Sequence, residues 1–194
     1  EDAINNNMLT PYYYYPVLVH LDSEELAEYV DLSKQISRAI ASSPNKRRED
    51  LSDTAKMLLI KRARIVAGAH QKIPKLKSVM EPYRNKRHML VYCGATTIQD
   101  AGYVEGVPTD NEVRQIDAVA SVLNNDLHVK AHQFTSKESA ADRENLKRAF
   151  SAGKQMQALV AIRCLDEGVN IPSIKTAFIL ASSTNPKEYV QRRG

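Results

Sequence analysis

The sequence predicts an α/β protein built on a parallel sheet with helices on both faces, preceded by a helical extension. Two observations support this fold class. From residue 86 onward, short apolar segments alternate with helical patterns, which is the strand–helix–strand order of a parallel sheet. The predicted strands are apolar along their whole length, as expected for a sheet buried on both sides. We therefore divide the chain into a lead-in region, residues 1–84, and a sheet domain, residues 85–194.

Composition and charge narrow the classes of function. The chain has 194 residues, of which 43% are hydrophobic, enough for one domain with a core and an extension. Lys and Arg exceed Asp and Glu by 27 to 23, a mild bias toward an anionic partner. No apolar run approaches the ~20 residues of a membrane span, and no signal peptide opens the chain. Cys93 and Cys164 have no paired His or Cys nearby. We expect a cytoplasmic protein with free thiols, no metal site and no membrane contact.

The lead-in region combines one aromatic segment with three helices. Residues 12–21 are aromatic and β-branched and favour a strand, which Pro16 restricts to a short or edge position. Apolar residues then recur at helical spacing over 23–41, with Asp22 or Ser23 as the N-cap. Further helical patterns cover 51–68 and continue to about residue 83. The sequence leaves open whether these helices pack on the sheet or extend toward a ligand.

The sheet domain contains four predicted strands with polar segments after each of them. Strands are predicted at 88–92, 127–134, 158–162 and 174–180, and helices at 112–124, 136–150 and 186–193, with a loop over 94–111. Ligands of parallel sheets bind beyond the carboxyl ends of the strands. The polar residues that follow each strand are therefore the candidate binding residues.

The segment LVAIRCLDEGVNIP, residues 159–172, is the most specific of these strand ends. Gly168 allows a close backbone approach, Asn170 can hydrogen-bond a sugar hydroxyl, and Glu167 is an acceptor. An alternative is a tight turn that needs glycine, with Asp166 and Glu167 capping a short helix. These two interpretations remain open on the residues alone.

Two further features concern nucleotides. Gln191, Arg192 and Arg193 end the chain on a predicted helix, where arginines can hold a phosphate, although a solvated basic helix end is the alternative. The sequence contains no G-x-x-x-x-G-K-[ST] phosphate loop and no acidic segment after a strand of the kind that holds Mg²⁺. A nucleotide bound here would thus need a second domain for its phosphates and metal.

In order, the segments HMLVYCG, FTSKESAADRENLKRAF, LVAIRCLDEGVNIP and AFILASSTNPKEYVQRRG resemble the second RecA-like domain of superfamily 2 helicases. The resemblance is nearest to the DEAD/DEAH-type, DNA-directed branch of restriction-enzyme motor subunits and of repair or phage-defence translocases. It implies a RecA-like fold and ATP hydrolysis by the whole protein. ATP and Mg²⁺ would be held mainly by a first RecA-like domain of the same polypeptide.

The resemblance also assigns roles to residues. It implies nucleotide binding by Glu167, Gly168, Asn170, Gln191 and Arg192. It implies nucleic-acid contacts by Gly94, Thr135 and Arg163. The arginine fingers of the family are expected just after Gly194, so we expect the isolated chain to be inactive.

The choice of DNA over RNA depends on departures from the RNA-directed pattern. Ile162 stands where RNA helicases usually have Thr, and Gln191 where they usually have His. DNA is therefore the favoured partner. An RNA helicase domain and a non-catalytic RecA-like module that binds nucleic acid or a protein remain as alternatives. A nuclease domain is the weakest one, because no Asp, Glu and Lys cluster supports it.

Overall fold

The computed structural model describes residues 12–41, 51–93, 110–135, 138–162, 171 and 173–180, with the backbone alone for 110–114. The helices are α1 Ser23–Ala41, α2 Asp53–Gly68, α3 Lys72–Met80, a short 3-10 helix Glu81–Tyr83, α4 Asp110–Ser121, a π-helical turn Val122–Asp126 and α5 Ala140–Ala152. The strands are β1 Met89–Cys93, β2 Ala131–Phe134, β3 Ala158–Ile162 and β4 Thr176–Ile179.

The four strands form one parallel sheet in the order β2-β3-β1-β4. Val91 of β1 pairs with Val160 of β3 on one side and with Phe178 of β4 on the other. Every residue of β1 and β3 is buried, as predicted. The outer strands β2 and β4 differ from the expectation, because exposed and partly buried residues alternate along most of their length. Edge strands have a neighbour on one side only, which leaves part of them accessible to water.

Helices cover both faces of the sheet and create two cores. On the first face, α3 and α4 pack against alternate residues of the central strands. The buried members of this core include Leu76, Met80, Met89, Val91, Ile116, Val119, Val160 and Ile162. On the second face, Phe150 of α5 packs with Leu90, Phe134 and Leu159. Alternation of side chains along β1 and β3 sends successive residues to opposite cores. The predicted fold class, a RecA-like parallel sheet covered on both faces, is confirmed.

The helical extension packs on the sheet domain through its last helix. Leu76 and Met80 of α3 belong to the core of the first face. The helices α1 and α2 contact each other, and Arg62 donates to Ser33 Oγ at 3.2 Å while its guanidinium lies 5.4 Å from the Tyr29 ring centre. The question left open by the sequence is thus answered for α3, which lies on the sheet. The predicted boundary between residues 84 and 85 stays a prediction.

A hydrogen-bonded cluster joins the start of α1 to the corner between α2 and α3. Asp22 Oδ1 accepts from the Glu25 N–H at 2.9 Å, and Glu25 Oε2 accepts from the Asp22 N–H at 3.0 Å, which is a reciprocal capping box. His70 Nδ1 lies 2.8 Å from Asp22 Oδ2, and the His70 N–H donates to Glu25 Oε1 at 2.8 Å. These three side chains have ligand atoms close enough for a metal ion. Capping and the His70 contacts already account for all four carboxylate oxygens.

Other helix ends also have suitable capping groups. Ser139 caps α5, since its Oγ accepts from the Asp142 N–H at 3.2 Å. Gly153 ends α5 in the left-handed region at φ 64°, a conformation that glycine adopts without steric cost. Pro74 falls in the first turn of α3, where a missing N–H is tolerated.

Two predicted strands are corrected by the structure. Residues 12–21 form no strand and extend along the surface, with Tyr13 90% and Leu18 79% exposed. Strand-forming residues need a partner strand, and none of the described strands pairs with this segment. The strand predicted over 127–134 begins only at Ala131, because Leu127 ends a π-helical turn and His128 has φ 52°. The predicted segments 94–109 and 186–193 lie outside the described residues.

Candidate nucleotide and nucleic-acid interface

The carboxyl ends of all four strands lie at one edge of the sheet because the strands are parallel. Cys93 ends β1, Thr135 follows β2, Ile162 ends β3 and Leu180 follows β4. In parallel α/β sheets this edge is where ligands bind. The predicted binding segments therefore begin at the same edge, and this edge is the candidate functional site.

Most of the predicted site residues lie outside the described residues. They are Gly94, Arg163, Glu167, Gly168, Asn170, Gln191 and Arg192. The structure describes the strand ends that precede these residues in the chain, at Cys93, Ile162 and Leu180. The roles of these seven residues stay predictions, and Thr135 is the predicted site residue whose contacts can be described.

Thr135 is buried at the end of β2, where both of its hydrogen-bond donors go to one carboxylate. Its N–H donates to Glu138 Oε2 at 2.6 Å, and its hydroxyl donates to the same oxygen at 2.8 Å. A backbone N–H with an adjacent hydroxyl is a common pair of donors for a phosphate oxygen. Here Glu138, an anion from the same chain, holds both donors.

Lys72 places a positive charge at the same edge. Its ammonium donates to the Leu180 carbonyl at the end of β4 and to the Ala67 carbonyl near the end of α2, both at 3.0 Å. Burial lowers the pKa of Lys72 from its usual 10.5 to about 8, since the charged form loses hydration. Lys72 also lies in the first turn of α3, where the helix dipole disfavours a cation. This arrangement keeps a poorly hydrated cation beside the ends of two strands.

The Cys93 thiol adjoins this cation at the end of β1. It is free and fully buried, and burial raises its pKa to about 12, with the positive charge of Lys72 acting in the opposite direction. A thiol with this pKa stays protonated at neutral pH and is a poor nucleophile. Cys93 therefore acts as a small core residue at this edge. The free thiol expected here is confirmed, whereas Cys164 lies outside the described residues.

Residues 106–194 match the family model of the helicase conserved C-terminal domain. The match confirms the predicted resemblance at the level of a helicase C-terminal domain, over residues 106–194. The match begins after β1, but β1 lies between β3 and β4 in the sheet. The structural unit of this helicase C-terminal domain therefore includes residues upstream of position 106.

Solved structures with detectable similarity include the C-terminal part of the Fun30 ATPase domain and the Hef helicase domain of Pyrococcus furiosus. The first is 14% identical, with 84% of this chain and 55% of that chain covered and a TM-score of 0.47. The second is 20% identical, with 87% of this chain and 32% of that chain covered and a TM-score of 0.42. This chain thus spans about half and about a third of those two chains.

A comparison with curated proteins gives no match. Among the described helices, none is both long and apolar enough to cross a membrane.

The candidate site contains two polar residues that the sequence did not indicate. The role of Glu138 depends on its carboxylate accepting from the N–H and the hydroxyl of Thr135, three residues earlier. Lys72 was hidden because it approaches the strand ends from the extension, 108 residues away from Leu180 along the chain. A lysine in the first turn of a helix, opposed to the helix dipole, is the one sequence signal that could have drawn attention to it.

Proposed function

We propose that this helicase C-terminal domain is the second motor domain of an ATP-dependent DNA helicase or translocase of the restriction, phage-defence or repair type. The match of residues 106–194 to the helicase family carries the proposal. In this role the domain completes an ATP site whose phosphate loop and Mg²⁺ ligands belong to a first RecA-like domain of the same polypeptide. The isolated chain hydrolyses no ATP, because its own segments supply neither of these parts.

The proposed nucleotide contacts come from Glu167, Gly168, Asn170, Gln191 and Arg192. The segments that contain them follow β3 and β4, whose ends reach the candidate site. Arginine suits the phosphates because its guanidinium forms two parallel hydrogen bonds and stays charged. The ammonium of Lys72 adds positive potential beside the end of β4. Closure of the two domains around ATP would bring these groups to the nucleotide, and hydrolysis would release them.

The proposed nucleic-acid contacts come from Gly94, Thr135 and Arg163. Glu138 accepts from both donors of Thr135, so a phosphate that binds there must displace this carboxylate. Such a contact exchanges one anion for another on the same donors. It reads the backbone rather than the bases and is therefore independent of sequence and sensitive to salt.

The deciding experiment measures ATP hydrolysis by the full-length protein with single-stranded DNA, duplex DNA and RNA. Arg192→Ala is the test variant, and Arg148→Ala is the control, because Arg148 is exposed on α5 and bonds Asn145 of its own helix. We expect stimulation by DNA, and a loss of at least ~10-fold in Arg192→Ala, since one hydrogen bond to a charged group contributes ~1.5–3 kcal/mol.

Other results separate the alternatives. Greater stimulation by RNA would assign the domain to an RNA helicase. No hydrolysis with any nucleic acid, together with retained binding, would leave a non-catalytic RecA-like module. Hydrolysis of ATP by the isolated chain would refute the division of the ATP site between two domains.

A further inference from the structure

The opposite edge of the sheet contains a basic pocket that the proposed motor function does not use. It is an open cavity of about 440 Å³ between the 3-10 helix, the start of β1 and the start of β4. The residues that line it are Tyr83, Lys86, Arg87, His88, Lys175 and Thr176. Three permanent cations line the pocket and no acid does. An anion is the ligand whose charge this lining complements.

The cations of the pocket are not neutralised by nearby acids. Lys86, Arg87 and Lys175 are exposed and form no salt bridge with any residue that the structure describes. The acid that lies nearest to Lys86 and Arg87 along the sequence, Glu81, is paired with Arg84 at 3.3 Å. Like charges that are held together without counter-charges raise the local potential and attract anions.

The backbone beneath these cations is held in place by hydrogen bonds. Gln157 Nε2 donates to the carbonyls of Arg84 and Lys86 at 2.8 and 3.0 Å. The Lys175 N–H donates to the His88 carbonyl at 2.9 Å, which ties the start of β4 to the start of β1. The pocket is thus preformed, so that binding costs little ordering of the backbone.

An aromatic ring in the lining favours a nucleic-acid strand over a simple anion. Tyr83 is 36% exposed, with its ring packed edge-on against Phe178 at a centre distance of 5.4 Å, and such a ring can stack on a base. Cations beside an aromatic ring are the usual composition of a single-strand binding surface.

We propose that this pocket is a second nucleic-acid contact, which binds the phosphates of a single strand through Lys86, Arg87 and Lys175. The inference rests on the proposed function, because a nucleic acid must be the substrate of the protein. This pocket and the candidate site lie at opposite ends of β1. A strand of five residues such as β1 is ~17 Å long. Only a nucleic acid that extends well beyond the contacts of the candidate site can reach both.

The experiment measures binding of single-stranded oligonucleotides of about 4, 20 and 40 nucleotides to the full-length protein, over a range of salt concentrations; the shortest spans only ~14 Å at ~3.4 Å per nucleotide. The test variant is Lys86→Gln with Lys175→Gln. The control is Lys34→Gln with Lys61→Gln, which removes the same charge from exposed positions on α1 and α2. The logarithm of the association constant falls with the logarithm of the salt concentration, with a slope of ~0.7 per phosphate contact. Each lost lysine should therefore weaken binding ~5-fold at 0.1 M salt.

We expect the test variant to lose ~25-fold in affinity for the longest strand, with the salt slope lowered by ~1.4, while the shortest strand and the control variant change little. Equal affinities and slopes of the test and control variants at every length would overturn the second contact. So would an equal loss at every length, which would place these lysines within the motor contacts. Absence of binding and of ATPase stimulation in the unmodified protein would instead refute the proposed function itself.

Discussion

Replacement of Lys72 by methionine tests the unusual position of its ammonium directly. The pKa of Lys72 falls from 10.5 to about 8 in the folded protein, because burial removes water from the charged group. Each pKa unit corresponds to ~1.4 kcal/mol, which gives ~3 kcal/mol for a fully desolvated group. The side chain keeps some contact with solvent, so we reduce this to ~1–2 kcal/mol.

The sign of the pH effect follows from proton binding. Between pH 8 and pH 10.5 the unfolded chain holds the Lys72 proton and the folded chain releases it. The Lys72 contribution to the free energy of unfolding therefore rises with pH across this window. At neutral pH, Lys72→Met removes both the desolvation cost and the hydrogen bonds to Ala67 and Leu180, and these effects oppose each other.

The measurement is urea unfolding of the parent chain and of Lys72→Met at pH 7, 8.5 and 10, followed by circular dichroism. We expect the parent chain to gain ~1–2 kcal/mol relative to the variant between the lowest and highest pH. Lys75→Met is the control, since Lys75 is exposed on the same helix. A difference that stays constant or falls with pH would refute a desolvated Lys72.

Three further substitutions or labels test other parts of the structure. Ser139→Ala removes the N-cap of α5 and should lower the free energy of unfolding by ~1 kcal/mol, measured in urea; an unchanged midpoint would exclude the cap. Gly153→Ala should lower the free energy of unfolding by ~1–2 kcal/mol, because φ is +64° and the new Cβ would lie 3.1 Å from His88 Nε2. Gly68→Ala is its control, since a Cβ at Gly68 meets no atom within 4 Å. Cys93 should react with iodoacetamide only after unfolding, given its burial and its pKa of about 12; rapid native labelling, located by mass spectrometry, would contradict its placement.

The most accurate predictions concern elements that are determined by the residue pattern within the element itself. Helix 23–41 and strand 158–162 were predicted with the bounds that the structure has. In the helix, apolar residues recur at helical spacing, and Asp22 and Glu25 provide a capping box. In the strand, five apolar residues lie between two polar segments, as in a strand that is buried on both faces.

The predictions that failed depended on partners far away in the chain. The tyrosines at 12–15 have the composition of a strand, but strand formation requires a neighbouring strand, and the described sheet offers them none. At the candidate site, the carboxyl edge could be predicted from strand order. Glu138 contacts Thr135 from three residues along the chain, in the T-x-x-E spacing of a capping box, whereas the approach of Lys72 to Leu180 is a tertiary contact that no local pattern encodes.

The two edges of the sheet differ in how their polar groups are used, and this difference predicts how each would bind an anion. At the carboxyl edge, Glu138 and backbone carbonyls already accept the hydrogen bonds of Thr135 and Lys72. An anion there must exchange with internal partners, which couples its binding to rearrangement of the domain. At the opposite edge, Lys86 and Lys175 have no acidic partner among the described residues, on a backbone that is already fixed. Binding there needs no exchange, so its affinity should depend on salt and be independent of the nucleotide state of the motor.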